Sequence, residues 1–245
     1  MWNDVEFLRE FYRSGLGRTV KTLIRHRVRQ VWPNTKGQRV LGLGYATPFL
    51  KPLQRDAERV IVAMPGLQGA LHWPNNRPGR VMLCDEGEIP LPDVAVDRII
   101  LVHALEYSEQ VRPMLREIWR ILADNGRLIV VVPNKRGIWA RFDSTPFGRG
   151  NPYTLTQLNG LLSDTLFTPS RTERALFMPP SRSGLIAAGT GAWEQIGQRI
   201  FPAFSGVLLV EAVKLIHAAT SESMAVRRRR RTLRAAVPGA HRSGE

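Results

Sequence analysis

The sequence predicts an α/β fold built on a doubly wound, mostly parallel sheet, and three observations predict it. Short apolar runs at residues 39–43, 60–64, 81–84, 97–102 and 127–132 alternate with stretches that can be helical. That is the order crossover units require. The runs hold few polar positions, as strands covered on both faces do. Between the last two runs lies an amphipathic helix at about 109–123, with Val111, Leu115, Ile118 and Leu122 on one stripe.

The elements follow in chain order. Asn3 or Asp4 can cap a helix reaching about Arg13, and Ser14-Gly15-Leu16-Gly17 breaks it. A second helix places Leu16, Val20, Leu23, Ile24, Val28 and Val31 on one side and Arg18, Lys21, Arg25 and Arg29 on the other, so one face should dock. Trp32-Pro33 ends it, and residues 1–31 read as an N-terminal helical extension of a domain spanning 32–217. Beyond Pro133 the chain is loop-rich, with a helix expected from Thr154 or Thr156 and a late strand at 206–217. Residues 218–245 turn polar and basic and read as a disordered tail, because such a composition cannot bury enough apolar surface to order itself.

Composition bounds the function. The chain has 245 residues, 43% of them hydrophobic, enough for one sizeable core. A single cysteine, Cys84, excludes an internal disulfide and a cysteine-rich zinc site. His26, His72, His103, His217 and His241 show no metal-ligand spacing. The start carries acids where a secretion signal would be basic, and no apolar run reaches the ~18 residues of a membrane span, so a cytoplasmic location is expected. Of the net charge of +14, residues 1–31 supply +4 and residues 225–245 supply +6. The basicity therefore belongs to the ends. Arg227, Arg228, Arg229, Arg230 and Arg231 form a run that would contact polyanions with little sequence preference.

The chemistry concentrates in two places. The first is Val40-Leu41-Gly42-Leu43-Gly44-Tyr45-Ala46-Thr47-Pro48, a strand-to-helix turn with small residues where main-chain N–H groups can approach a ligand. It is a poor dinucleotide fingerprint, because the third glycine is absent. The second runs from Cys84 to Pro133 and contains Asp85-Glu86-Gly87-Glu88-Ile89-Pro90, Asp97, Glu117-Ile118-Trp119-Arg120-Ile121-Leu122 and Asn125-Gly126 before a strand.

This second series resembles the class I S-adenosylmethionine-dependent methyltransferases, in the small-molecule-type subfamily whose signature is D-x-x-x-L/I-P, F-D, a helix with E-x-x-R-x-L, then P-G-G and a strand. The resemblance covers roughly Arg39 to Lys214. It implies a Rossmann-like sheet of seven strands with an antiparallel last strand, S-adenosylmethionine as cofactor, and methyl transfer to a small-molecule or protein acceptor. The family's first loop reads h-h-D-h-G-x-G-x-G, so Gly44 is kept, while Gly42 replaces the acid and Ala46 and Pro48 replace later glycines. Where the family places a ribose-binding acid, at the end of the second strand, this chain has Met64, with Gln68 one turn on as a substitute. A lost hydrogen bond to a charged acceptor costs about 1.5–3 kcal/mol.

The resemblance thus implies Gly42, Gly44, Tyr45, Ala46, Met64, Gln68, Asp85 and Glu86 as the cofactor-binding set. Asp85 reads as a pocket residue or as a turn cap. His103, closing the fourth strand, reads as a general base or substrate-orienting group, or as a satisfied structural histidine. Glu117 and Arg120 lie on the back helix and read as scaffold. Two other functions fit: a partner protein that kept the fold and lost turnover, and a nucleic-acid-associated protein using the arginine run.

Overall fold

The computed structural model describes residues 4–75, 77–181 and 190–214. Residues up to Lys214 form one compact unit. The tail at 218–245, its arginine run, and the last residues of the strand expected at 206–217 lie outside the described residues.

Helix α1 (Val5–Arg13) begins because the Asp4 carboxylate accepts the Glu6 N–H at 2.9 Å, and it buries Val5, Leu8 and Tyr12 along one face. Ser14 alone separates it from α2 (Gly15–Val31), ending one helix and capping the next through a 3.0 Å bond from the Gly17 N–H. The expected break over residues 14–17 is therefore a one-residue corner. Helix α2 buries Val20, Ile24 and Val28, the stripe its spacing predicts.

The sheet has seven strands: β1 (Arg39–Gly44), β2 (Arg59–Pro65), β3 (Val81–Cys84), β4 (Val96–Val102), β5 (Leu122–Pro133), β6 (Phe167–Ala175) and β7 (Val207–Lys214). Their spatial order is β3-β2-β1-β4-β5-β7-β6. Neighbours from β3 to β5 pair in parallel, and β7 runs antiparallel to both β5 and β6. The fold class read from the sequence is the observed one. The edge strand β6 has no counterpart among the expected apolar runs, because Thr168-Pro169-Ser170-Arg171 offers none.

Side chains alternating along the strands feed two cores. On one face Val40, Val60, Val62, Met64, Ile100 and Val102 meet α1, α2 and the short helix α3 (Thr47–Leu50). On the other, Leu41, Leu43, Ala63, Ile99 and Leu101 meet α4 (Val111–Ile121) and α5 (Leu155–Asp164), the latter opened by a capping box between Thr154 and Gln157. A last helix, α6 (Thr190–Ile200), precedes β7. Among the described residues no helix is long and apolar enough to cross a membrane.

Candidate functional site

In a doubly wound sheet, ligands sit beyond the carboxyl ends of the parallel strands, where the strand order reverses. Here that point lies between β1 and β4. Gly44 ends β1 with φ +77°, and a Cβ on it would lie 2.5 Å from the Val102 carbonyl and 2.9 Å from the Ala104 Cβ. Its glycine is demanded by both the backbone turn and the approach of β4. A Cβ on Gly42 would meet Leu50 Cδ1 at 2.6 Å and Ala46 Cβ at 2.7 Å. Helix α3 is thus packed straight onto β1, and an acidic side chain has no room at this position.

His103 follows β4 with φ +52°, a left-handed conformation uncommon for a residue with a side chain. Three groups hold it. Its Nδ1 lies 3.0 Å from Glu106 Oε1, its Nε2 lies 2.8 Å from the Tyr12 hydroxyl, and its carbonyl accepts the Gln68 Nε2–H at 2.8 Å. A carboxylate only accepts, so with Glu106 ionised the ring proton sits on Nδ1, and in the neutral imidazole Nε2 accepts from Tyr12. Burial pushes the Tyr12 phenol well above its ordinary value, which keeps that donor protonated. The other Glu106 oxygen is buried without a hydrogen-bond partner.

Tyr12 belongs to α1, so the N-terminal helix lies across the cleft. Its ring stacks on Tyr45 with centroids 5.7 Å apart and meets the edge of Phe49 at 5.6 Å. The Val5 N–H donates to the Gln68 carbonyl at 2.9 Å, tying the same helix to the turn after β2. The Arg149 guanidinium covers Phe7 at 4.0 Å. Beneath this cover Ala46, Met64 and His103 are 0% exposed and Gln68 is 2% exposed. The Tyr45 hydroxyl is pushed up to about 12, chiefly by burial.

Asp85 and Glu86 stand apart from this cluster, after β3. Asp85 is exposed, and its Oδ1 accepts the Gly87 N–H at 2.7 Å, a turn-forming bond. Glu86 is buried, accepts the Ser108 hydroxyl at 2.7 Å, and leaves its second oxygen without a partner. Burial pushes its carboxyl up. Glu117 and Arg120 support this region from α4: Arg120 donates to the carbonyls of Ile89 and Leu91, and Glu117 accepts the Ile89 N–H. Two site residues escaped the sequence reading. Glu106 could have been found from its i, i+3 spacing to His103, whereas nothing in the sequence sends Tyr12 to the strand ends. No cluster of metal-ligating side chains occurs among the described residues.

The fold recurs in solved structures. An S-adenosylmethionine-dependent methyltransferase from Archaeoglobus fulgidus is 17% identical at a TM-score of 0.57, over 86% of this chain and 100% of that one. The geranyl diphosphate C-methyltransferase from Streptomyces coelicolor A3(2) is 15% identical at 0.54, over 78% of this chain and 76% of that one. The cyclase SpnF is 20% identical at 0.54, over 79% and 81%. No curated protein matches the sequence. The family described as "Methyltransferase domain" matches residues 32–130. The chain thus shares the fold of these S-adenosylmethionine-dependent methyltransferases, and its stretch 32–130 matches a methyltransferase domain.

At the ends of β1, β2 and β4, Ala46, Met64 and Gln68 are buried, and Tyr12 of α1 spans Tyr45 and His103.

Proposed function

We propose that this chain transfers the methyl group of S-adenosylmethionine to a small-molecule or protein acceptor, and that it does so only from a state in which α1 has left the carboxyl edge of β1, β2 and β4. The match of residues 32–130 to a methyltransferase domain supports the chemistry. The observation that carries the gating is the nature of the cover: a nine-residue helix, turned at Ser14, that meets His103 through Tyr12, Gln68 through Val5 and Arg149 through Phe7. With α1 withdrawn, Gly42, Gly44, Tyr45 and Ala46 border the opened edge, Met64 and Gln68 stand beside it, and Asp85 and Glu86 flank it at β3. Met64 offers apolar contact and no hydrogen-bond acceptor for hydroxyls, so binding is weak.

What the chain's own groups contribute is mainly positioning of the acceptor, which such displacement chemistry chiefly needs. His103 adds one proton-handling site. Freed of Tyr12, its Nε2 faces the opening as an acceptor whose orientation Glu106 fixes, placed to take a proton from an incoming nucleophile. A second reading, a partner protein that has lost turnover, is favoured by the complete burial of Met64 and Ala46.

Calorimetry with S-adenosylhomocysteine separates the two. The intact chain is expected to bind weakly, and a Leu8→Ala, Tyr12→Ala variant, in which α1 is loosened, at least tenfold more tightly. Absence of heat from both proteins at millimolar ligand removes the methyl-transfer reading in favour of the partner protein.

A further inference from the structure

The carboxyl edge of the sheet carries a second surface, on the side of β5 and β7. β5 leaves the sheet at Pro133, β7 enters beside it at Val207, and β6 leaves opposite Val207 at Ala175. The segments joining these points therefore gather at one place. They expose Ile138 after β5, Trp193, Ile196 and Ile200 on α6, and Phe201 and Phe204 before β7, each between 42% and 61% exposed. Most of them line one groove of about 420 Å³, which Arg136 and Arg141 also enter. Soluble monomers rarely expose large aromatic and aliphatic side chains side by side.

The charges around this surface are mostly positive. Lys135, Arg136, Arg141 and Arg199 are exposed on the segments that form it, as is the acid Asp143. Glu194, the only acid of α6, is turned inward and accepts the Phe177 N–H at 2.8 Å. Protruding Trp, Phe and Ile side chains bordered by cations match a bilayer interface, where rings lie at headgroup depth and cations meet anionic phosphates.

We infer that this face docks the protein onto an anionic phospholipid bilayer, with Trp193, Phe201 and Phe204 entering the headgroup region and Arg136, Arg141 and Arg199 contacting lipid phosphate. The inference is independent of methyl transfer, but the two faces share an edge. Phe147 links them, with its ring 5.1 Å from His103 and 5.6 Å from Trp139, the neighbour of Ile138. Docking would turn the opening over His103 toward the bilayer.

The test uses the full chain with Arg227–Arg231 replaced by serine, so that this run does not supply the binding, and vesicles of phosphatidylcholine, with or without phosphatidylglycerol, at low salt. The protein is expected to sediment with the anionic vesicles, and brominated acyl chains are expected to quench its tryptophan fluorescence. Trp193→Phe should remove most of that quenching without unfolding the protein, and Phe201→Ser with Phe204→Ser should reduce vesicle binding by roughly tenfold. Binding without quenching, quenching that survives Trp193→Phe, or no binding overturns the inference. So does a dimer in sedimentation equilibrium that the double variant returns to monomer, since a second copy would then cover the face.

Discussion

At the scale of single residues, Tyr12, His103 and Glu106 form a buried chain of hydrogen bonds joining the first helix to the end of the fourth strand. Tyr12→Phe keeps the ring stack on Tyr45 and removes the donor to Nε2. An unmatched buried acceptor costs about 1–3 kcal/mol, so the melting temperature should fall by roughly 2–10 °C for a domain of this size, read by thermal denaturation. Met64 poses the opposite problem. Placing there the acid that the resemblance leads one to expect, as Met64→Asp, would put a carboxylate at a position with no exposure, within an apolar cluster. That should cost about 3–5 kcal/mol, measured by urea unfolding, and a variant as stable as the parent would show that the region opens readily. Position at the end of the fourth strand singles out His103, and resemblance to the methyltransferases singles out Met64 and Gln68. Their partners were not readable, because a side chain from Tyr12, ninety-one residues away from His103, decides them.

At the scale of elements, the E-x-x-R of α4 is a clamp. Glu117 and Arg120 bond each other and together hold the main chain of Ile89 and Leu91, which explains why the motif accompanies a proline turn after β3. The hydrogen bonds from Arg120 hold the Glu117 carboxyl below its ordinary value, and those from Arg39 do the same for Asp97. The folded protein thus binds these protons more weakly than the unfolded chain. The stabilisation is complete above the ordinary carboxylate range, about pH 4, and is lost as pH falls through the lowered values. Melting temperatures measured from pH 6 down to pH 3 should therefore drop, and Glu117→Gln should start lower at pH 6 and drop less. Helices α1, α2, α4 and α5 and strands β1 to β5 were legible because their burial is one- or two-sided and periodic, whereas α6 was not anticipated. Nor was β6. It pairs only with β7, buries Phe167 and Ala175 at its ends, and carries Pro169, Ser170, Arg171 and Glu173 between them, as an edge strand can.

At the scale of the whole molecule, α1 completes one of the two cores and closes the cleft at the same time. Composition shows neither role; it marks residues 1–31 only as basic and amphipathic. If a ligand binds only after α1 leaves, its apparent affinity is reduced by the fraction of molecules that are open. Each ~1.4 kcal/mol removed from the closed state then raises affinity about tenfold, up to the point where most molecules are open. Leu8→Ala, at a fully buried position of α1, should cost about 2–5 kcal/mol of global stability and tighten binding of S-adenosylhomocysteine over the same range. Unequal signs in melting temperature and affinity across a set of α1 variants would check this. The wider consequence concerns selection. In a library of this sequence sorted by survival of a heat challenge, the winners would be those that seat Leu8 and Tyr12 most firmly, and ligand binding would fade from the population with no substitution in the loops that line the cleft.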